Sequence, residues 1–217
     1  MKKIMTIIAV VLSVILIAAL IPEASLSSSS SMFLLGKRFS QSDNTYSDDL
    51  PAAVAAYNGH MITEEEVDYQ LYADSLRSED CKLHYSRRDV IDNLLLGYII
   101  LDEAREAGLS AEKEEVLNSL ELSKAGIEEV PEAAGQLQDF CAGANMTVNE
   151  YWAAQEEQLY GELSRIKYMN AFIDDYMESH PDAESHEAVA AYEQFQQELL
   201  QKHRDEIVYY GDYTGEQ

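Results

Sequence analysis

An uninterrupted apolar run near the N-terminus constrains this chain most, because such a segment belongs either in a membrane or in a buried core. Residues 4–21 contain no charged side chain, and only Thr6 and Ser13 are polar. At about 1.5 Å rise per residue, a helix over this run is roughly 27 Å long, close to the ~30 Å hydrocarbon thickness of a bilayer. The pattern predicts a transmembrane segment within residues 1–23.

Two interpretations of this run stay open, a retained signal-anchor and a cleaved signal peptide. A cleaved signal peptide has an apolar stretch of about 7–15 residues and a small-x-small cleavage site. Here the stretch is longer, and the nearest candidate site, Pro22-Glu23-Ala24, has a proline where a small residue is required. Lys2 and Lys3 precede the run, and the positive-inside rule keeps them in the cytoplasm. We therefore predict a single-pass cell-membrane protein whose C-terminal domain lies outside the cytoplasm, with secretion after cleavage as the alternative.

Residues 24–50 are rich in serine, and the sequence predicts a flexible tether there. Such a segment buries too little apolar surface to offset the entropy of ordering it. An apolar island, Met32–Leu35, interrupts it and is followed by Lys37 and Arg38. Two interpretations of the island stay open, contact with anionic lipid headgroups and an adventitious sticky spot.

The charge of the chain is concentrated in its C-terminal part. The chain has 40 Asp and Glu against 15 Lys and Arg, a formal net charge of −25. Within residues 1–50 the acidic and basic side chains balance, so residues 51–217 carry the whole −25. A field of that sign repels nucleic acid and anionic lipid. We expect no nucleic-acid partner, and either a merely solvated acidic surface or recruitment of basic partners.

Residues 51–217 are predicted to form one domain that opens with a β-hairpin. Asn58-Gly59 favours a tight hairpin turn, because both residues accept a positive φ. The following segment, Thr63 to Glu66, is a capping box, in which the threonine side chain and the glutamate satisfy each other's backbone amides. A helix therefore begins directly after the second strand.

Apolar residues at helical spacing predict six helices in this domain. Ser86 and Ser110 are the expected N-caps of the second and third, Pro131 opens the fourth, and a second capping box at Thr147–Glu150 opens the longest. The six run from about Glu64 to Leu76, Arg87 to Ala107, Ala111 to Lys124, Pro131 onward, Val148 to Ser179 and Ser185 onward.

The predicted core lies around the second of these helices. That helix is apolar on most sides, as is typical of a helix at the centre of a domain, so we place Leu95 in the central core. Ile207 to Tyr210 predicts a strand, and we expect it to pair with the strand around Val54 to Tyr57, because an isolated hairpin is only marginally stable. The fold class is all-α with a minimal β element.

The sequence contains no recognised motif for catalysis, for a cofactor or for a metal. We therefore predict a non-enzymatic protein without catalytic residues, cofactor or metal. The densest group of metal-ligating residue types, from His180 to His186, is interpreted as a polar loop between two helices. Cys81 and Cys141 either form one disulfide outside the cytoplasm or are two ordinary small apolar side chains.

Six segments of the chain stand in an order and spacing that is typical of one known family. They are Tyr57-Asn58-Gly59 with Met61 to Glu65, Asp92 to Leu95, Glu103 to Ser110, Ala111 to Val116, Met146 to Tyr151, and Glu193 to Tyr209. Together they resemble the SurA N-terminal domain, which also opens PrsA-like extracytoplasmic foldases. The resemblance covers residues 53–210.

The resemblance implies a chaperone-like holdase that binds unfolded or extended exported polypeptides through an apolar groove. Members of this family commonly insert a parvulin-type prolyl isomerase before the closing helix. Here the two helices are separated only by Ser179 to Ser185, whereas a further domain needs at least about 50 residues. Isomerase activity is therefore not expected. The alternative is a surface scaffold protein with one dedicated partner, favoured by the acidic charge.

Overall fold

The computed structural model describes residues 29–43, 53–77 and 85–214. Within these residues the chain is mostly helical, with one small antiparallel sheet. The elements are α1 (Ser29–Asp43), β1 (Ala53–Tyr57), β2 (His60–Thr63), α2 (Glu64–Arg77), α3 (Arg87–Glu106), α4 (Lys113–Glu128), α5 (Pro131–Ala144), α6 (Val148–Ser179), α7 (Ser185–Lys202) and β3 (Ile207–Tyr209). This confirms the predicted class, and each of the six predicted helices is present.

The predicted membrane segment over residues 1–23 lies outside the described residues. Within the part of the chain that the structure describes, no helix is long and apolar enough to cross a bilayer.

Capping side chains determine where most helices begin. Ser86 accepts a hydrogen bond from the Asp89 amide at the start of α3, and Thr147 accepts one from the Glu150 amide at the start of α6. The reciprocal carboxylate contacts complete both capping boxes, so these orphan amides are satisfied locally. These two helix starts lie where the sequence predicted them.

Helix α4 begins two residues later than predicted, with Glu112 rather than Ser110 as its N-cap, because Ser110 and Ala111 contact another helix. The Ser110 carbonyl accepts from Lys167 Nζ at 3.1 Å, and the Ala111 amide donates to the Ser164 hydroxyl at 2.9 Å. Contacts with α6 thus hold these two residues outside the helix. Glu112 serves as the N-cap instead, with its amide bonded to the Glu115 carboxylate.

The sheet joins the two ends of the domain. Its strand order is β2-β1-β3, and both pairings are antiparallel. Ala56 of β1 pairs with Met61 on one side and with Val208 on the other. The predicted pairing of Ile207–Tyr210 with the first strand is therefore confirmed.

Two apolar clusters form the core, and α6 borders both. One cluster gathers α1, α4, α5 and the N-terminal half of α6, including Phe140 and Trp152. The other joins the sheet to α2, α3 and α7, and Tyr168 of α6 packs against it. Leu95 lies in this second cluster with no exposed surface, as predicted.

Helix α1 differs from the flexible tether predicted over residues 24–50. Met32 and Leu35 are buried in the first core cluster, so the prediction is wrong for residues 29–43. These side chains recur at helical spacing with Phe39, which supplies the apolar face that the serine content concealed. The folded body thus includes α1 and begins before the predicted domain start at residue 51.

Two glycines let α1 approach α5 to backbone contact. A Cβ added to Gly36 would collide with the Phe140 carbonyl oxygen, and one added to Gly143 would collide with the Phe33 carbonyl oxygen. Any larger residue at either position would force the helices apart. This close crossing explains how the serine-rich helix α1 packs stably against the rest of the domain.

Candidate functional site

The outer face of the sheet carries a row of exposed apolar side chains. Successive strand residues point to opposite faces, so Ile62 and Ile207 point inward while Met61 and Val208 point outward. Met61 is 48% exposed and Val208 is 49% exposed, with Ala56 between them in the register. Met61, Ala56 and Val208 thus form an apolar row across the three strands of the sheet.

Tyr210 extends this row beyond the end of β3. Its amide donates to the Val54 carbonyl at 2.9 Å, which continues the backbone ladder by one residue. The period of two places its side chain on the same side as Val208, and it is 41% exposed. We call Ala56, Met61, Val208 and Tyr210 the outer sheet face.

The chemistry of the outer sheet face is that of adaptable apolar contact. Methionine is flexible and polarisable, and tyrosine provides a large, rigid contact area at low entropic cost. Exposed apolar side chains that adjoin one another are typical of surfaces that contact another molecule. The face is suited to binding apolar side chains of an extended polypeptide without covalent chemistry.

A polar cavity of about 300 Å³ lies next to the sheet, where the two ends of the domain meet. Its lining comes from the β1–β2 hairpin, the C-terminal end of α3 and the segment after α7. The lining residues are Tyr57, Asn58, Asp102, Glu103, Arg105, Glu106, His203 and Glu206.

His203 bridges two of these elements. Its Nε2 lies 3.0 Å from Glu103 Oε1, and its Nδ1 lies 3.3 Å from the Tyr57 hydroxyl. Nδ1 also lies 3.3 Å from Glu206 Oε1, so the ring stands between two carboxylates and the phenol. Burial, together with Asp102, raises the pKa of Tyr57 to about 12, so the phenol remains protonated.

The carboxylates of the cavity are held by neighbouring donors. Asp102 is buried and accepts from Asn58 Nδ2 and from Arg105 Nη1, each at 2.7 Å. Lys202 Nζ lies 2.6 Å from Glu103 Oε1, and this hydrogen bond, with that from His203, lowers the pKa of Glu103. These contacts fasten the hairpin turn and the end of α7 to α3, so the cavity acts as a structural junction.

Acid should weaken this junction. Replacing Glu103 by glutamine is expected to lower the free energy of unfolding at neutral pH by about 1–3 kcal/mol, because a charged hydrogen-bond acceptor is lost. The folded-state pKa of Glu103 lies below the ordinary value of 4.5, so its stabilisation is present above that value and is lost as pH falls through the folded pKa. The stability difference between wild type and variant should therefore shrink on acidification, as measured by urea denaturation.

Glu106→Gln is the control for this prediction. Glu106 lines the same cavity and forms no ion pair with any side chain that the structure describes. The control removes the same charge without removing a contact, so its stability should stay within about 0.5 kcal/mol of wild type. An equal loss of stability in both variants would contradict the proposal that the contacts of Glu103 stabilise the junction.

Four aromatic rings pack α6 against α7. The Phe172 ring lies 4.8 Å from that of Phe195 and 5.4 Å from that of Tyr192, and Tyr168 stacks on Phe195 at 6.2 Å. Tyr192 is buried, and its burial raises its pKa to about 12. These two tyrosines join the two helices.

The segment from His180 to His186 contains two histidines, and each contacts a different neighbour. His180 stacks on Tyr176, and His186 Nδ1 lies 3.3 Å from the exposed Glu184 carboxylate. Within the described ranges, no group of three or more metal-ligating side chains is positioned to hold an ion. Cys141 is buried in α5, which raises its thiol pKa, whereas Cys81 lies outside the described residues, so their pairing stays a prediction.

Similarity to known proteins does not identify this site. No family model matches the chain, and no curated protein or solved structure matches it either.

Proposed function

We propose that this protein is a membrane-anchored extracytoplasmic holdase that binds unfolded or extended segments of exported polypeptides. The observation that carries the proposal is the outer sheet face, where exposed Met61 and Val208 flank Ala56 across the three strands and exposed Tyr210 follows along β3. Such a surface offers apolar contact to many sequences, because flexible and aromatic side chains adapt to different partners.

The architecture supports a SurA N-like domain as the source of this function. The ordered motifs that resemble that family lie on the β1–β2 hairpin, α3, α4, α6 and the closing helix and strand. The strand that opens the matched region pairs with the strand that closes it, which supports the proposal. The proposal therefore combines the motif order with an exposed apolar face.

The proposed activity does not include prolyl isomerisation. Helix α6 ends at Ser179 and α7 begins at Ser185, so five residues join them. An inserted isomerase domain needs at least about 50 residues. We therefore propose a non-catalytic domain that slows aggregation and leaves proline isomers unchanged.

The test measures both activities on protein that lacks residues 1–28, which keeps α1 and the core that it completes. We expect it to suppress light scattering by an aggregating unfolded protein at stoichiometric concentration. We expect no acceleration of prolyl isomerisation, which takes tens to hundreds of seconds without a catalyst and so makes a catalyst easy to detect.

Matched double variants connect this activity to the outer sheet face. Met61→Gln with Val208→Thr should weaken suppression about tenfold, because two apolar side chains lose contact worth ~1.4 kcal/mol. Leu122→Gln with Val189→Thr is the control, since these side chains are 47% and 48% exposed but lie on α4 and α7. Equal loss in both variants would contradict the assignment of the face.

Salt separates the holdase from the alternative, a scaffold that recruits one basic partner through its acidic charge. The Debye length falls from about 10 Å at 0.1 M salt to about 3 Å at 1 M, which screens charge recruitment. Apolar binding should persist at 1 M salt. Failure to suppress aggregation, together with one stoichiometric partner crosslinked in intact cells, would favour the scaffold.

A further inference from the structure

The outward side of α1 is apolar and basic in a chain that is otherwise strongly acidic. Phe33 is 44% exposed and Leu34 is 47% exposed, and Lys37 and Arg38 follow them one turn later on the same side. The opposite side of the helix, with Met32, is buried in the core. Helix α1 thus presents two large apolar side chains beside two cations.

The orientation of this side relative to the body is fixed. Gly36 and Gly143 bring the backbones of α1 and α5 into contact, so α1 cannot rotate without losing that crossing. Phe39 adds ring contacts with Phe140 at 5.6 Å and with Tyr69 at 5.8 Å. Phe33 and Leu34 therefore remain directed away from the folded body.

The two cations are available to a negatively charged surface. Neither Lys37 nor Arg38 forms an ion pair with any side chain that the structure describes, although the chain has 40 acidic residues. The Arg38 guanidinium lies over the Tyr72 ring at 4.4 Å from its centroid, which positions it without neutralising it. Phosphate groups of lipids would complement both charges.

The position of α1 in the chain brings it close to a bilayer. The predicted transmembrane run ends at residue 21, and seven residues separate it from Ser29. Seven fully extended residues span at most about 25 Å, so the start of α1 lies within that distance of the membrane if the run is inserted. A soluble partner would have to compete with a bilayer that is always nearby.

We propose that the face formed by Phe33, Leu34, Lys37 and Arg38 docks on the outer leaflet of the membrane that holds the chain. Phe33 and Leu34 enter the boundary between headgroups and acyl chains, and Lys37 and Arg38 contact lipid phosphates. Because α1 is fixed to α5, this contact sets the orientation of the whole domain on the membrane. The proposal rests on the membrane anchor proposed above and does not depend on the holdase activity.

The test uses the full chain in phospholipid vesicles whose acyl chains carry bromine, which quenches tryptophan on contact. Phe33→Trp reports the proposed face, and Val189→Trp, at an equally exposed site on α7, is the control. The native Trp152 is buried and gives the baseline in the unsubstituted chain. Circular dichroism melting shows that each variant is folded.

We expect brominated lipid to quench Phe33→Trp about twofold or more beyond the Val189→Trp control, as for a side chain that enters the interface. Adding Lys37→Glu to the Phe33→Trp variant should reduce this quenching. The reduction should be larger on vesicles that contain phosphatidylglycerol than on phosphatidylcholine alone, because the reversed charge is repelled by anionic lipid. Equal quenching at positions 33 and 189 would overturn the proposal, as would failure of the full chain to float with the vesicles. Quenching unaffected by Lys37→Glu on both lipids would overturn the assigned role of the cations.

Discussion

Replacing Leu95 by alanine is expected to lower the free energy of unfolding by about 2–5 kcal/mol. Leu95 has no exposed surface and lies between Ile91 and Ile99, which are also fully buried on α3. The shorter side chain removes buried methyl groups and leaves a cavity that tightly packed neighbours refill only partly. Urea denaturation of protein lacking residues 1–28 measures the effect.

Leu122→Ala is the matched control for this substitution. Leu122 is 47% exposed on α4, so the same chemical change removes little buried surface. We expect a loss below about 1 kcal/mol, as at surface sites. A similarly small loss at Leu95 would show that α3 does not form the centre of the core.

Deleting residues 206–217 should lower the free energy of unfolding by about 3 kcal/mol or more, since the deletion removes the third strand and buried Ile207. The deletion also removes Tyr209, whose ring receives the Arg88 guanidinium at 3.7 Å and whose hydroxyl donates to Asp92 at 2.8 Å. For a domain of this size such a loss lowers the melting temperature by roughly 6–12 °C. Thermal denaturation followed by circular dichroism measures it.

Two point substitutions show whether the loss comes from β3 packing. Ile207→Ala should destabilise the protein, because Ile207 is 9% exposed and faces the core. Val208→Ala should have little effect on stability, because Val208 is 49% exposed on the outer sheet face. Melting curves that do not change on deletion, or that change equally for both substitutions, would contradict the strand pairing as a source of stability.

The helix starts were predictable because their determinants are local. A capping box places the reciprocal side chains three residues apart, so Ser86 and Thr147 identify the first residues of α3 and α6 from sequence alone. Ser110 is the counterexample. It has the right residue type, but its carbonyl and the following amide form hydrogen bonds with side chains of α6, which lie more than 50 positions away.

Helix α1 was not predictable from composition. Its serine content favours a solvated segment, and its stability comes from tertiary contact with α5, which lies about 100 residues further along the chain. The decisive residues are Gly36 and Gly143, and glycine in a helix interior is unfavourable unless close backbone approach requires it. The close approach becomes visible only when both helices are placed.

The candidate site could be predicted only in part from the sequence. The alternation of Met61 with Ile62 and of Ile207 with Val208 identifies two sides of each strand. Both residues of each pair are apolar, so the pattern alone does not show which one faces the solvent. The polar junction was equally hidden, since His203 and Glu103 are 100 residues apart and meet only through the fold.

Site-specific photocrosslinking tests the central claim, that unfolded polypeptides bind the outer sheet face. Benzoylphenylalanine is placed at Val208 or, as a control, at the equally exposed Val189 on α7, and the protein is illuminated with a reduced, carboxymethylated polypeptide. We predict a strong crosslink from position 208, retained at 1 M salt, a weak one from position 189, and none with the folded form of the same polypeptide. Equal crosslinking from both positions, or none from position 208, would contradict the proposed binding surface.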